Sequence, residues 1–373
     1  MTKLNKKYIL LIVILAFPLS QNSKINESIK NGIYDLYSYN FSNSIKHLND
    51  VLKLDQSNSL APFLLIVNDW LMNQTEYGYD ESYDAIASGV KNTIPIYKAL
   101  ILEYPNKAEY HLFLGSTYGL KARVSLASKD WLDVLYSGYT GIKYIKKAKK
   151  IDPTLYDVYL SIGLLEYFLC ISSAPIKLVG KVMGFECDCE VGKQNLELAL
   201  KESRYAWIEA ANILTYIYLY FEKDYVNALR TSNILVENFP DHPLFIFLQA
   251  ESIAKSNKWD ELNKILPTLE QIVNENKYLL KNELELKLRH LYALKAFYYN
   301  DYNFVIQETS WMINNYKMEF DWLLGFAYMI RGKTYDKLGM VDMALKDYKS
   351  IIKLKNYFPE ISEAKKLIKE RQN

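Results

Sequence analysis

Arg331-Gly332-Lys333-Thr334-Tyr335, followed by Leu338-Gly339, Ala344 and Tyr348, is the most regular stretch of this 373-residue chain. Gly332 lies inside an apolar-periodic segment, where a small residue lets a neighbouring helix approach closely. Gly339 stands where that segment ends, the position at which a helix wants a left-handed residue. Ala344 and Tyr348 continue the periodicity on the other side. Two helices joined by a tight turn are the reading.

Working outward, the same punctuation recurs. Leu52-Lys53-Leu54-Asp55-Gln56, Tyr104-Pro105-Asn106, Ile151-Asp152-Pro153 and Phe239-Pro240-Asp241 each close a helical segment. Proline ends one helix and is tolerated in the first turn of the next. Ten residues after Pro105 comes Gly115, ten after Pro153 comes Gly163, and ten after Pro240 comes Ala250. An aromatic opens the second helix of a pair, with a small or apolar residue three later: Phe41 and Ser44, Tyr225 and Ala228, Tyr302 and Val305. Only 14 Gly and 10 Pro in the chain mean few breaks, which favours helices over many short strands.

This pattern resembles the tetratricopeptide repeat, a helix–turn–helix of about 34 residues. The resemblance runs from about Ile25 to the end. It is clear in the units ending near Gln56, Pro153, Pro240 and Asn356 and degenerate near Trp70, Trp259 and Trp311. It implies an all-α helix–turn–helix solenoid, a right-handed superhelix whose first helices line a concave face. The layout looks like that of exported bacterial proteins of this kind. It is also loosely similar to the inclusion-body clearance family, which lends no activity.

Three segments depart from the pattern. Glu76–Asp84 reads as a polar insertion between helices, and the helix from Trp131 to Pro153 as an extended one. The segment 171–191 carries Pro175, Gly180, Gly184 and Cys187-Asp188-Cys189, and is expected to be an irregular loop separating repeats 21–170 from repeats 192–373.

The N-terminus reads as a signal peptide over 1–20: Lys3, Lys6 and Lys7, then an apolar run from Tyr8 to Phe17, then Ser20. The run is shorter than the roughly 20 apolar residues that span a bilayer. A periplasmic or otherwise exported chain is expected, with an uncleaved anchor as the alternative. No membrane span is expected in the mature chain, and association with the envelope is consistent with export. The formal charge of +2 belongs to this leader, since without its three Lys 42 basic residues face 43 acidic ones. A balance of that kind excludes a phosphate-backbone footprint, so no nucleic-acid partner is expected.

Three Cys are too few for a disulfide framework. Cys170 can pair with Cys187 or Cys189 in an oxidising compartment, or all three are ordinary buried or loop thiols. His47, His111, His242 and His290 are scattered without paired spacing, so no metal site is expected. Gly184 and Gly192-Lys193 do not make a phosphate loop, because the glycines are eight apart and Gln194 follows the Lys. No catalytic motif and no cofactor motif stands out, and the chain is expected not to be an enzyme.

Binding remains. A known use of the repeat is a Lys/Asn clamp for a C-terminal carboxylate, but Ile29 and Ile33 stand at the corresponding first-repeat positions. Residues expected to face the groove are Asp157 and Tyr167 around Gly163, and Lys333, Asp336 and Lys337 around Gly332. The partner expected is a protein or peptide. The alternative is a small molecule or lipid held in a cavity, with 171–191 as its lid. Most of the 32 Tyr are expected to pack between helices, with the hydroxyl at the edge.

Overall fold

The computed structural model describes the backbone of residues 6–276, 280–354 and 358–372, and side chains from Asn22 to Arg371 within those limits. Of the expected leader, 1–20, only the backbone from residue 6 on is described, and the expected end of the last unit near Asn356 falls outside the described residues. Among the described residues all regular structure is helical. No described helix is long and apolar enough to cross a membrane.

Helices follow one another in pairs. They are α1 (Lys6–Tyr37) with α2 (Phe41–Leu54), α3 (Ala61–Glu76) with α4 (Tyr79–Glu103), and α5 (Ala108–Ala127) with α6 (Trp131–Ile151). Next come α7 (Val158–Ile171), α8 (Ala174–Val182) and α9 (Cys189–Glu202). Then follow α10 (Trp207–Tyr216) with α11 (Tyr225–Asn238), α12 (Pro243–Lys255) with α13 (Trp259–Glu275), and α14 (Leu280–Tyr298) with α15 (Tyr302–Asn314). The last are α16 (Trp322–Lys337) with α17 (Val341–Ile351), and the single α18 (Glu360–Gln372). The chain divides into two compact units, Met1–Asn195 with Glu202–Arg204 and Leu196–Lys201 with Tyr205–Asn373, so the division falls within α9.

In the first unit the α5–α6 pair shows why small residues recur. A Cβ on Gly115 would stand 2.7 Å from the Gly141 carbonyl oxygen, and one on Gly141 2.8 Å from that of Gly115. Further along, Ser125 and Lys121 both bond Asp133. Contacts that run from 115 with 141 to 125 with 133 define an antiparallel pair. Gly163 and Ala250, the other two residues of the ten-residue offset, are also buried. Pro105, Pro153 and Pro240 lie in the turns, while Pro62, Pro175 and Pro243 occupy the first turns of α3, α8 and α12.

Six turns within pairs share one construction. One or two residues past the first helix stands a residue with positive φ: Tyr39 (59°), Lys129 (60°), Lys223 (56°), Asn257 (58°), Asn300 (63°) and Gly339 (73°). The next residue caps the second helix and sends its N–H back to a carbonyl of the first. In five turns that carbonyl lies five residues back, as in Met340 to Tyr335 (2.8 Å) and Asp301 to Ala296 (2.9 Å). This is the Schellman arrangement. In the sixth, Asp224 reaches six back, to Tyr218 (2.9 Å). The extra residue is absorbed by a π-helical turn, Ile217–Glu222, that ends the first helix of that pair.

Two expectations are corrected. Glu76–Asp84 is not a polar insertion: only Tyr77 and Gly78 separate α3 from α4. Gly78 supplies φ 126°, and Asp80 and Glu81 fall in the first turn of α4, where the helix N-terminus favours carboxylates. The segment 171–191 is not simply irregular. It contains α8, opened by Pro175 and ended near Gly184 at φ 78°. α9 packs on α7, since a Cβ on Gly192 would meet the Tyr167 backbone N at 2.6 Å. α8 is therefore an excursion between α7 and its partner. Cys170 and Cys189 are bonded across its base, with Cα atoms 5.3 Å apart and a sequence separation of 19. Cys187 stays a free thiol.

Candidate functional site

The second unit gathers its charged and aromatic groups on the first helices of successive pairs. The spacing is i, i+4 on each: Glu251 and Lys255 on α12, Glu283 and Lys287 on α14, Trp322 and Phe326 on α16. Residues four apart share a helix face. The π-turn carries Tyr220 beside Tyr216 of α10, ring centroids 5.6 Å apart.

Glu251 is the hub. Tyr220 donates its hydroxyl to one carboxylate oxygen at 2.8 Å, and His290 Nε2 meets the other at 3.2 Å. Only 6% of Glu251 and 1% of His290 is exposed, so neither group can be solvated by bulk water. The two Glu251 oxygens thus face the Tyr220 hydroxyl and the His290 imidazole separately. Burial by itself would raise the Glu251 pKa. The His290 beside it, the charge of Lys255 and the Tyr220 hydroxyl outweigh burial and bring it to about 2. Burial and the neighbouring carboxylate push the Tyr220 hydroxyl far above its ordinary value.

Cations flank the hub. Burial disfavours the Lys287 charge, but Tyr216, Glu283 and Glu251 overcome it and raise its pKa. Its ammonium lies 3.6 Å from Glu283 and 5.0 Å from the Trp322 ring centroid. Lys255 is lowered by burial despite Glu251 and Glu360, and its ammonium lies 5.9 Å from the Phe326 centroid. The rings of Tyr220, Trp322 and Phe326 pack together at 5.0–5.6 Å. His290 Nδ1 and Glu360 Oε2 are buried without a hydrogen-bond partner. The floor of this face is thus a fixed polar chain under half-buried Tyr216, Lys255 and Trp322. It can hold a ligand bearing charge and an apolar face. Among the described residues no group of His, Cys, Asp and Glu is placed to hold a metal ion.

The residues expected from sequence to face a groove are dispersed. Asp157 is buried, and its carboxylate accepts the Arg204 N–H at 3.2 Å. Tyr167 is 1% exposed and lies against Gly192. Neither faces an open groove: Asp157 stands before the first residue of α7 and is bonded to Arg204, and Tyr167 lies on the α7 face that α9 covers. Lys333 pairs with Glu363 at 2.6 Å, and Asp336 accepts from Tyr348 and Arg371, so both serve to hold α18. Lys337 alone of the five is exposed. Ile29, at the expected clamp position, is buried.

The network Tyr220–Glu251–His290 escaped sequence reading. Its one signal is the i, i+4 pairing of unlike residues on first helices, and that is indistinguishable in sequence from ordinary surface pairs. The burial that gives those pairs meaning comes from neighbours 30 to 40 residues away.

Comparison with known proteins gives slight likenesses. The crystal structure of the yeast Tom70 aligns over 98% of this chain and 97% of its own, at 11% identity and a TM-score of 0.36. The P58(IPK) TPR domain covers 94% of this chain and 99% of its own, at 13% identity and a TM-score of 0.26. A tetratricopeptide repeat protein from Parabacteroides merdae covers 94% and 100%, at 12% identity and a TM-score of 0.27. Scores this low carry no argument about function, and the helix–turn–helix reading stands on the chain's own turns and pairings. No family model matches the chain, and no curated protein does.

Proposed function

We propose that this chain is a non-enzymatic scaffold that binds a protein or peptide segment along the first helices of its repeats. The observation that carries this reading is the face of the second unit, where half-buried Tyr216, Lys255 and Trp322 lie over the Tyr220–Glu251–His290 floor. Aromatic and cationic side chains held rigid over a desolvated base are what protein-binding hot spots use. A photo-crosslinking residue in place of Trp322 is expected to give a discrete protein adduct that Lys255→Glu abolishes. A small ligand that raises the melting temperature, with no adduct formed, would overturn the reading.

The rival, a small-molecule or lipid binder with 171–191 as its lid, has lost its motivation. That segment is bonded at its base, and Glu166 accepts the N–H groups of Glu186 (2.8 Å) and Cys187 (3.2 Å). Lys146 donates to the Met183 and Gly184 carbonyls, both at 2.9 Å. A lid is not pinned in this way along its length.

Location in the periplasm or cell envelope is part of the proposal. The leader pattern over 1–20 and the Cys170–Cys189 bond support it, since disulfides persist in oxidising compartments. Sequencing the N-terminus of the native protein tests it. A chain that begins at Met1 in the cytoplasm would refute it.

A further inference from the structure

The α5–α6 pair is built from helices of 20 and 21 residues, and its end is uncovered. Seven consecutive residues, 126–132, are exposed. Among them Leu126 is 47% exposed, Trp131 61% and Leu132 82%, and the apolar surface continues along α6 through Leu135, Tyr136 and Tyr139 at 55–61%. Isolated exposed apolar residues are ordinary, but six at one end of a helix pair, five of them on α6, are not.

The same side of α6 changes character further on. Lys143, Lys147 and Lys150 are exposed, and at 3.6 residues per turn they fall on the side that carries Leu132, Tyr136 and Tyr139. From Val134 to Ile151 there are five Lys and no carboxylate. The solvent stripe of one helix is therefore aromatic and aliphatic for its first half and cationic for its second. It lies on a turn and a single helix; two clefts of the first unit open at 103–109 with Ile151 and Asp152, at the far end of α6, and around Ile66 and Gly89.

We infer that α6 docks this stripe on an anionic lipid surface. Trp, Tyr and Leu at one end suit the boundary between headgroups and acyl chains. The lysines of the other end then reach the phosphates, each adding to the attraction of a negatively charged leaflet. A protein hot spot would instead seat such anchors in a pocket. An exposed stripe on a segment with five cations and no acid between Val134 and Ile151 is complementary to a flat anionic sheet. The Asp130 and Asp133 carboxylates do not oppose this, being engaged as the α6 cap and with Lys121 and Ser125.

The test uses the full chain and vesicles of phosphatidylcholine and phosphatidylglycerol with brominated acyl chains. Comparing the wild type with Trp131→Phe isolates quenching at Trp131, whatever the N-terminal segment does. Quenching at Trp131 is expected on mixed vesicles, and Leu132→Ser/Leu135→Ser should remove it while the circular dichroism and melting temperature hold. Lys143→Gln/Lys147→Gln/Lys150→Gln should weaken binding by about tenfold or more on anionic vesicles and leave binding to neutral ones unchanged. Two results would overturn the inference. One is a chain that floats with vesicles while Trp131 stays unquenched. The other is a chain that ignores lipid but self-associates in sedimentation, with Leu132→Ser returning it to the monomer.

Discussion

Gly115 and Gly138 lie on facing helices and have opposite surroundings. A Cβ at Gly115 would press on the Gly141 carbonyl at 2.7 Å and on Ile145 at 2.7 Å, whereas nothing lies within 4 Å of one at Gly138. A backbone carbonyl cannot swing aside as a side-chain tip can. Gly115→Ala is therefore expected to cost about 1–3 kcal/mol through overpacking. Gly138→Ala should be neutral or stabilising by up to about 1 kcal/mol, because alanine is the better helix former. Urea denaturation of the two variants decides this, and equal effects would show that the α5–α6 approach is less close than described. The offset from Pro105 already marked Gly115 in sequence. Gly141 carried no such mark, because its closeness depends on which residue of α6 faces it.

At the scale of elements, the turn within pairs was only partly legible. Gly339 announced its left-handed conformation, whereas Tyr39, Lys129, Lys223, Asn257 and Asn300 take the same one without glycine. Each such residue bears steric strain of about 1 kcal/mol or more, held in place by the Schellman hydrogen bonds on either side. Lys129 is exposed, so Lys129→Gly should relieve that strain and raise stability by roughly 0.5–1 kcal/mol, less the added freedom of the unfolded chain. Lys129→Ala should not, and thermal melts of the pair provide the check. The α8 excursion is an element-scale matter as well. The Cys170–Cys189 bond closes a loop of 19 residues, and its removal in Cys170→Ser/Cys189→Ser should cost about 3 kcal/mol. Reducing agent should reproduce the loss in the native chain, while Cys187→Ser should leave the denaturation midpoint where it was. Sequence left two partners open for Cys170, since Cys187 and Cys189 flank a single residue. The start of α9 on the α7 face selects Cys189.

For the molecule as a whole, acid is the revealing variable. His242 caps α12 through Nδ1, which accepts the Phe245 N–H at 3.2 Å, and its ring stacks on Phe245. Burial holds its pKa down to about 3. The unfolded chain binds a proton near pH 6.5 that the folded chain refuses, so this stability is full above 6.5 and drains away as the pH falls toward 3. One proton corresponds to about 1.4 kcal/mol per pH unit. Glu251, depressed to about 2, adds a loss of the same sign that begins below about pH 4.5. Urea midpoints should therefore fall from pH 7 to pH 5, by an amount worth about 2 kcal/mol for His242 alone. His242→Asn keeps a capping side chain and should flatten that stretch while leaving the steeper loss below pH 4.5. An unchanged slope in the variant would mean that His242 is solvated.

The residues themselves determined that this chain is helical, where most helices stop, and that they come in pairs. Those properties follow from local spacing: apolar period, proline and glycine punctuation, and a small residue at a fixed distance. They also left Cys170 either to pair with Cys187 or Cys189 or to stay an ordinary thiol, and put no clamp lysine at Ile29 or Ile33. Only the tertiary structure decided the rest. It made Asp157 and Tyr167 packing residues, turned 171–191 into a bonded excursion with a helix of its own, and joined Tyr220, Glu251 and His290 from three separate helices. It also left one stripe of α6 bare. Burial is a property of neighbours distant in sequence, and a carboxylate's role or an aromatic's exposure depends on it. No spacing within a single helix records which of its faces another helix will cover.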